Sequence, residues 1–156
     1  METFPFELIK RFSFKREPVS LPAELRPMYK IALILLFLRL NCSASTSTIL
    51  KIQFLNWVLK TEELKEKFIQ QTTGKETKYL LKVVHLDPAV NRAVQYAFAE
   101  KLISYEKTGK IKLTDLGIKI VDEIILNDDL FVNEKHYLKK LGKTISEVQI
   151  KNTLLG

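Results

Sequence analysis

The spacing of apolar side chains divides the chain into segments of different period. From Met28 to Leu40 apolar residues occupy nearly every position, which leaves no polar face and predicts a fully buried helix. Pro27 stands where a first helical turn tolerates it, because the missing N–H has no helical partner there. Asn41 to Ser47 is polar, offers several hydroxyls as N-caps and leaves room for one very short strand. A second helix follows from about Thr48 to Leu59, with Ile49, Ile52, Leu55 and Leu59 at helical spacing, Phe54 and Val58 beside them, and Trp57 at one edge.

Thr61 caps a third predicted helix to about Gln71, with Glu62 and Glu63 in the first turn where the helix dipole favours acids. Thr72 to Thr77, around Gly74, interrupts it, and the short, partly β-branched run Lys78 to Leu86 predicts a strand. Asp87 and Pro88 form an N-cap and first-turn pair opening a helix to about Leu102, whose packed face is Val90, Ala93, Val94, Ala97, Phe98 and Leu102. Ile103 to Glu106 and Lys110 to Leu113 alternate around Thr108-Gly109, the pattern of a β-hairpin. Thr114 then caps a helix through about Leu126 built on Leu116, Ile120, Val121, Ile124 and Ile125. A weaker helical pattern runs from Val132 to Leu141 and stops at Gly142, after which Thr144-Ile145-Ser146-Glu147 reads as a capping box for a terminal helix.

These elements predict a mainly α fold with a small β-hairpin, an α+β class. Their order is that of a winged helix-turn-helix domain, with Ile103 to Thr114 as the wing. The organisation read from the sequence is an extended N-terminal arm over residues 1–25, a winged-helix domain over 26–126 with an insertion at about 60–86, and a C-terminal helical extension over 127–156. A generic α+β domain with the hairpin as an edge feature is the competing architecture.

Composition narrows the setting. A chain of 156 residues with 46% hydrophobic and 28% charged content is long enough to bury a core. Cys42 is the single cysteine, so no intramolecular disulfide forms, and His85 and His136 alone make no zinc-like cluster. The longest apolar run, Ile31 to Leu38, falls far short of the roughly 20 residues that span a bilayer. The N-terminus lacks the pattern of a secretion signal, and a cytoplasmic protein without membrane contact is expected. Net charge is +7, but residues 114–129 hold five acids against Lys119, so the basic excess forms no dense stripe.

Candidate chemistry lies on the helix that begins at Pro88. In a DNA-reading winged helix this element enters the major groove, where Asn91 and Gln95 would face adenine and Arg92 guanine, while Lys107, Lys110 and Lys112 of the wing contact phosphates. The alternative is a solvated face with hairpin lysines that deter aggregation. Nearly thirty residues separate the candidate positioning helix from this one, where a tight turn of a few residues is usual, which weakens a DNA-reading role. In the arm, Phe4, Phe6, Phe12 and Phe14 interleave with Lys10, Arg11, Lys15 and Arg16. They either pack on the chain's own domain or dock on a partner, with the phenylalanines, Arg11 and Arg16 as the anchors. Nucleophile elbow, zincin and phosphate-loop motifs are absent, so neither enzymatic activity, a cofactor nor a small-molecule substrate is expected.

Three phrases, Leu25-Arg26-Pro27-Met28-Tyr29-Lys30-Ile31, Leu50-Lys51-Ile52-Gln53-Phe54-Leu55-Asn56-Trp57 and Leu86-Asp87-Pro88-Ala89-Val90-Asn91-Arg92-Ala93, together with the hairpin, resemble one family. It is the winged-helix middle component of bacterial three-component ABC-ATPase systems, the group that includes Lamassu-type anti-phage defence. The resemblance covers roughly residues 20–126. It implies a non-catalytic adaptor linking an SMC-like ABC ATPase to an effector subunit, with direct DNA contact as a further expectation; a sequence-specific DNA-binding regulator is the alternative. The family carries over no catalytic residues.

Overall fold

The computed structural model describes residues 26–72, 86–143, 145–147 and 150. Among these the chain is mainly helical with one small antiparallel sheet. The order is α1 (Pro27–Leu40), a 3-10 turn (Ser43–Ser45), β1 (Thr46–Ser47), α2 (Ile49–Val58), α3 (Glu62–Thr72), α4 (Pro88–Ala99), β2 (Ile103–Tyr105), β3 (Ile111–Leu113), α5 (Asp115–Leu126) and α6 (Val132–Leu141). The sheet runs β1-β3-β2, so the second strand of the hairpin is central. Ser47 lies opposite Ile111 on one side, and Ile103 lies opposite Leu113 on the other.

The apolar run of α1 makes it the spine of the core, because α2, α4, α5, α6 and β3 all pack around it. Leu33 to Leu38 are buried, with Leu36, Phe37 and Leu38 at 0% exposure. Each such side chain contributes about 1.5–3 kcal/mol by leaving water. The predicted caps Thr61 and Thr114 accept from the Leu64 and Gly117 amides, and Asp87 Oδ1 accepts from the Ala89 amide at 2.9 Å; α2 is capped by Thr48, one residue beyond the stretch expected to supply its cap, which accepts from the Lys51 amide.

Two sequence expectations change. α4 ends at Ala99 and not near Leu102, because Lys101 turns into the left-handed region at φ 60. The Lys101 N–H then donates to Phe98 O and the Leu102 N–H to Ala97 O, the bond pair that closes a helix in a Schellman motif. Leu102 stays buried beyond this reversal, but Phe98 is 50% exposed and does not belong to the packed face. In α5, Leu116 is 46% exposed, and the close contact is made next door by the buried Gly117. A side chain there would meet the Leu102 carbonyl, so glycine lets the α5 backbone settle on the turn after α4.

The predicted strand over 78–86 lies outside the described residues except for Leu86, which is exposed and leads into the α4 cap. α3 is not a free-standing insertion: Phe68 meets Phe54 edge-on at 5.1 Å, and the Tyr137 hydroxyl donates to Lys65 O. α6 joins the same core through Leu138 and Leu141. Polar side chains tie these ends down. Lys135 Nζ donates to the carbonyls of Ile124, Ile125 and Asn127 at the end of α5, where a cation suits the helix dipole. Asn41 Nδ2 donates to Leu138 O and Gly142 O at the end of α6, while its Oδ1 is buried without a hydrogen-bond partner among the described residues.

Candidate functional site

Helical geometry sorts the side chains of α4 into two arcs. Val90, Ala93, Val94 and Ala97 face α1 and the core, so Asn91, Arg92, Gln95, Tyr96, Phe98 and Ala99 are displayed outward. The three α4 residues singled out from the sequence, Asn91, Arg92 and Gln95, therefore all reach the surface. They are accompanied by Tyr96, 52% exposed, and by Phe98, whose ring lies 5.1 Å from that of the half-exposed Tyr105 in β2. That ring contact joins the helix face to the hairpin. Sequence reasoning missed Phe98 and Tyr105 as surface groups because apolar character at helical and strand spacing reads as core.

The start of α4 is held by a polar network. Gln53 donates through Nε2 to Asp87 O at 3.0 Å and to Asn91 Oδ1 at 3.2 Å, and its Oε1 accepts from the Asp87 amide at 2.9 Å. Lys30 Nζ, 4% exposed at the residue level, donates to Asn56 Oδ1 at 2.6 Å and lies 3.3 Å from Asp87 Oδ2. Asn56 Nδ2 reaches the same carboxylate oxygen at 3.4 Å, and Lys60 stands 4.0 Å away. Burial would raise the Asp87 carboxyl, but the Ala89 N–H, Lys30 and Lys60 outweigh it and hold the group below its usual range. Residues of α1, α2 and the α4 cap thus fix the angle at which α4 presents its outer face. The signal in the sequence was Lys30, Gln53 and Asn56 standing inside otherwise apolar helices.

The hairpin lysines fall into two classes. Lys107 and Lys112 are exposed. Lys110 is half-buried and lies 3.5 Å from Glu147 Oε2, while Glu147 Oε1 accepts from the Thr48 amide. Glu147 thus ties the residues after α6 to the hairpin and to the start of α2, where Ile145 and Ile150 are buried and Lys51 Nζ donates to Ile145 O. Thr144, the first residue of the predicted capping box, lies outside the described residues, as do His85 and the arm residues Phe4, Phe6, Arg11, Phe12, Phe14 and Arg16.

Among the described residues, two clefts bear on the helices. One of about 380 Å³ lies between α3 and α6, lined by Glu62, Lys65, Glu66, His136, Tyr137 and Lys140 among others. Burial, with Glu62 nearby, pushes the Tyr137 phenol up. The second, about 280 Å³, lies between the starts of α1 and α4 and is lined by Arg26, Lys30, Arg92 and Tyr96 with Pro27, Ala89 and Ala93. Cys42 is fully buried, and burial raises its thiol despite Lys51 and a hydrogen bond with Ser47. Among the described residues no group of histidine, cysteine and acidic side chains is arranged to hold a metal, and no helix is long and apolar enough to cross a membrane. Set against family models, curated proteins and solved structures, the chain matches none of them.

Proposed function

We propose that the chain is a winged-helix domain acting as a non-catalytic, cytoplasmic adaptor that joins an SMC-like ABC ATPase to an effector subunit in a bacterial anti-phage defence complex. The element order supports the winged helix: a short strand between α1 and α2 pairs with β3, and the hairpin follows α4 directly. The observation that carries the binding role is the group of exposed aromatics, Tyr96, Phe98 and Tyr105, around the polar residues Asn91, Arg92 and Gln95. Tyrosine, phenylalanine and arginine are enriched at protein interfaces, where they bury much area at little entropic cost. A rigid cap network behind this surface means that little ordering is needed on docking. The three sequence phrases that resemble the ABC-ATPase middle components supply the partner class.

Affinity purification of the tagged chain from its native cells, with nuclease treatment, tests the proposal. Co-purification of an ABC-type ATPase and a larger subunit through the nuclease step is the expected result. Recovery of no protein partner overturns it. Exposed Lys107 and Lys112, which have no ion pair among the described residues, favour a second reading as a DNA-binding regulator. On that reading DNA appears in the untreated sample and binding falls steeply with salt.

A further inference from the structure

We infer that the cleft between the starts of α1 and α4 receives an acidic segment of the partner protein, with Arg26 and Arg92 as its counter-charges and Tyr96 as its packing wall. The inference rests on the adaptor reading and names the chemistry that one part of the surface selects. The lining carries three cations and no carboxylate. Lys30 is already committed, to Asn56 and Asp87. The side chains of Arg26 and Arg92 are exposed and have neither a hydrogen bond nor an ion pair among the described residues. The contrast with Arg39 is informative: it is the only other arginine described, and it makes a two-pronged contact with Asp122 at 2.9 and 3.1 Å. The two uncommitted guanidinium groups therefore stand at one cleft.

On the α4 side Asp87 is committed to its own cap and to Lys30, and the α1 side supplies no acid. α1 has no acidic residue in its first turn and no side-chain cap, so the positive end of its dipole adds to Arg26. The cleft holds a side chain or two, and its walls reduce the solvent screening that makes open-surface ion pairs weak. Guanidinium groups match carboxylates in planar, paired hydrogen bonds, and the exposed Tyr96 ring offers apolar area beside them.

A local carboxylate fits this surface better than a nucleic-acid backbone. Towards the end of α4 and into the hairpin the sign of the charge alternates, with Glu100 and Glu106 exposed beside Lys101 and Lys107. A duplex presents regularly spaced negative charge and would meet these glutamates, whereas an acidic peptide needs positive charge at one end only. The chain's own residues 1–25 lack the complementary charge, since Glu2, Glu7, Glu17 and Glu24 are balanced by Lys10, Arg11, Lys15 and Arg16.

The test is an amide-detected NMR titration of the full chain with an oligoglutamate peptide, an oligolysine peptide and a short DNA duplex. Oligoglutamate should give saturable shifts at Met28, Ala89, Arg92 and Tyr96, and oligolysine none. Arg26→Ala and Arg92→Ala should each weaken binding about tenfold with the remaining spectrum unchanged, and Lys107→Ala should leave it intact. Absence of saturable shifts, shifts insensitive to both arginine substitutions, or tighter binding of the duplex at the same amides each overturns the inference. Carrying the arginine pair into the affinity purification separates the two claims. An ATPase recovered in full yield by Arg26→Ala/Arg92→Ala removes the cleft and leaves the adaptor; peptide binding by a chain that recovers no ATPase removes the adaptor and leaves the cleft.

Discussion

Replacing Gly117 by alanine tests the seat of α5 on the turn that follows α4. In an ordinary exposed helix this change stabilises by about 0.5–1 kcal/mol, because alanine loses less backbone freedom on folding. At this position the added Cβ would stand 2.1 Å from the Leu102 carbonyl oxygen and 3.2 Å from Leu113 Cδ2. The first of these is a backbone atom, so no rotamer change relieves it. Moving α5 away stretches the bond from the Thr114 N–H to the same Leu102 oxygen, now 3.1 Å, and loosens Leu113 and Val121 in the core. Overpacking costs about 1–3 kcal/mol and a weakened buried hydrogen bond about 1 kcal/mol. After the helix-propensity gain is subtracted, a net loss of about 2 kcal/mol is expected. Urea unfolding followed by the fluorescence of Trp57, 7% exposed in the native chain, reads this directly. At a slope of about 1–3 kcal/mol per molar, the midpoint should fall by roughly 1 M. A midpoint that rises or stays put would refute the close approach of α5 to Leu102.

Three further outcomes follow from the same geometry. Lys101→Gly relieves a left-handed backbone at φ 60 and should raise stability by about 0.5–1 kcal/mol, seen as a higher thermal midpoint; a lower midpoint would contradict the turn as described. Because the Asp87 carboxyl is held below its usual range when folded, its contribution is complete above the unfolded value of about 3.9 and is lost as pH falls through the folded one. Asp87→Asn should therefore cost about 2 kcal/mol at neutral pH and flatten the acid limb of a stability–pH curve, and an unchanged limb would exclude the Lys30 pairing. Cys42, buried with a raised thiol, should resist alkylation in the native chain and react once denaturant unfolds it; rapid native labelling would contradict its burial.

Much of the architecture was legible in the sequence because local signals and burial agree. Thr61, Asp87 and Thr114 are caps in fact as in pattern, and Leu33 to Leu38 form the buried spine expected of the apolar run, although Met28 at its start is exposed. The extent of α4 was not, since Lys101 occupies a left-handed position that usually signals itself by glycine. The burial of α5 was misjudged for a related reason: the contact that matters is made by a residue with no side chain, and its apolar neighbour Leu116 faces out. At the candidate site the sequence located the polar residues of α4 but not their setting. Nothing local distinguishes Phe98 and Tyr105 from core aromatics, and the cleft at Arg26 and Arg92 joins residues far apart in the chain. Lys110 looks like its neighbours in sequence, and only folding brings Glu147 against it.

The central claim is that the outer face of α4 meets a protein. It is tested most directly by placing a photo-crosslinking amino acid at Gln95, in the middle of that face, with a second chain labelled at the exposed Lys139 on α6 as the control. Irradiation of intact cells should join the Gln95 derivative to an ABC-type ATPase or its effector subunit and leave the Lys139 derivative free of that adduct. An adduct with DNA alone at position 95, or the same protein adduct from both positions, would contradict the account.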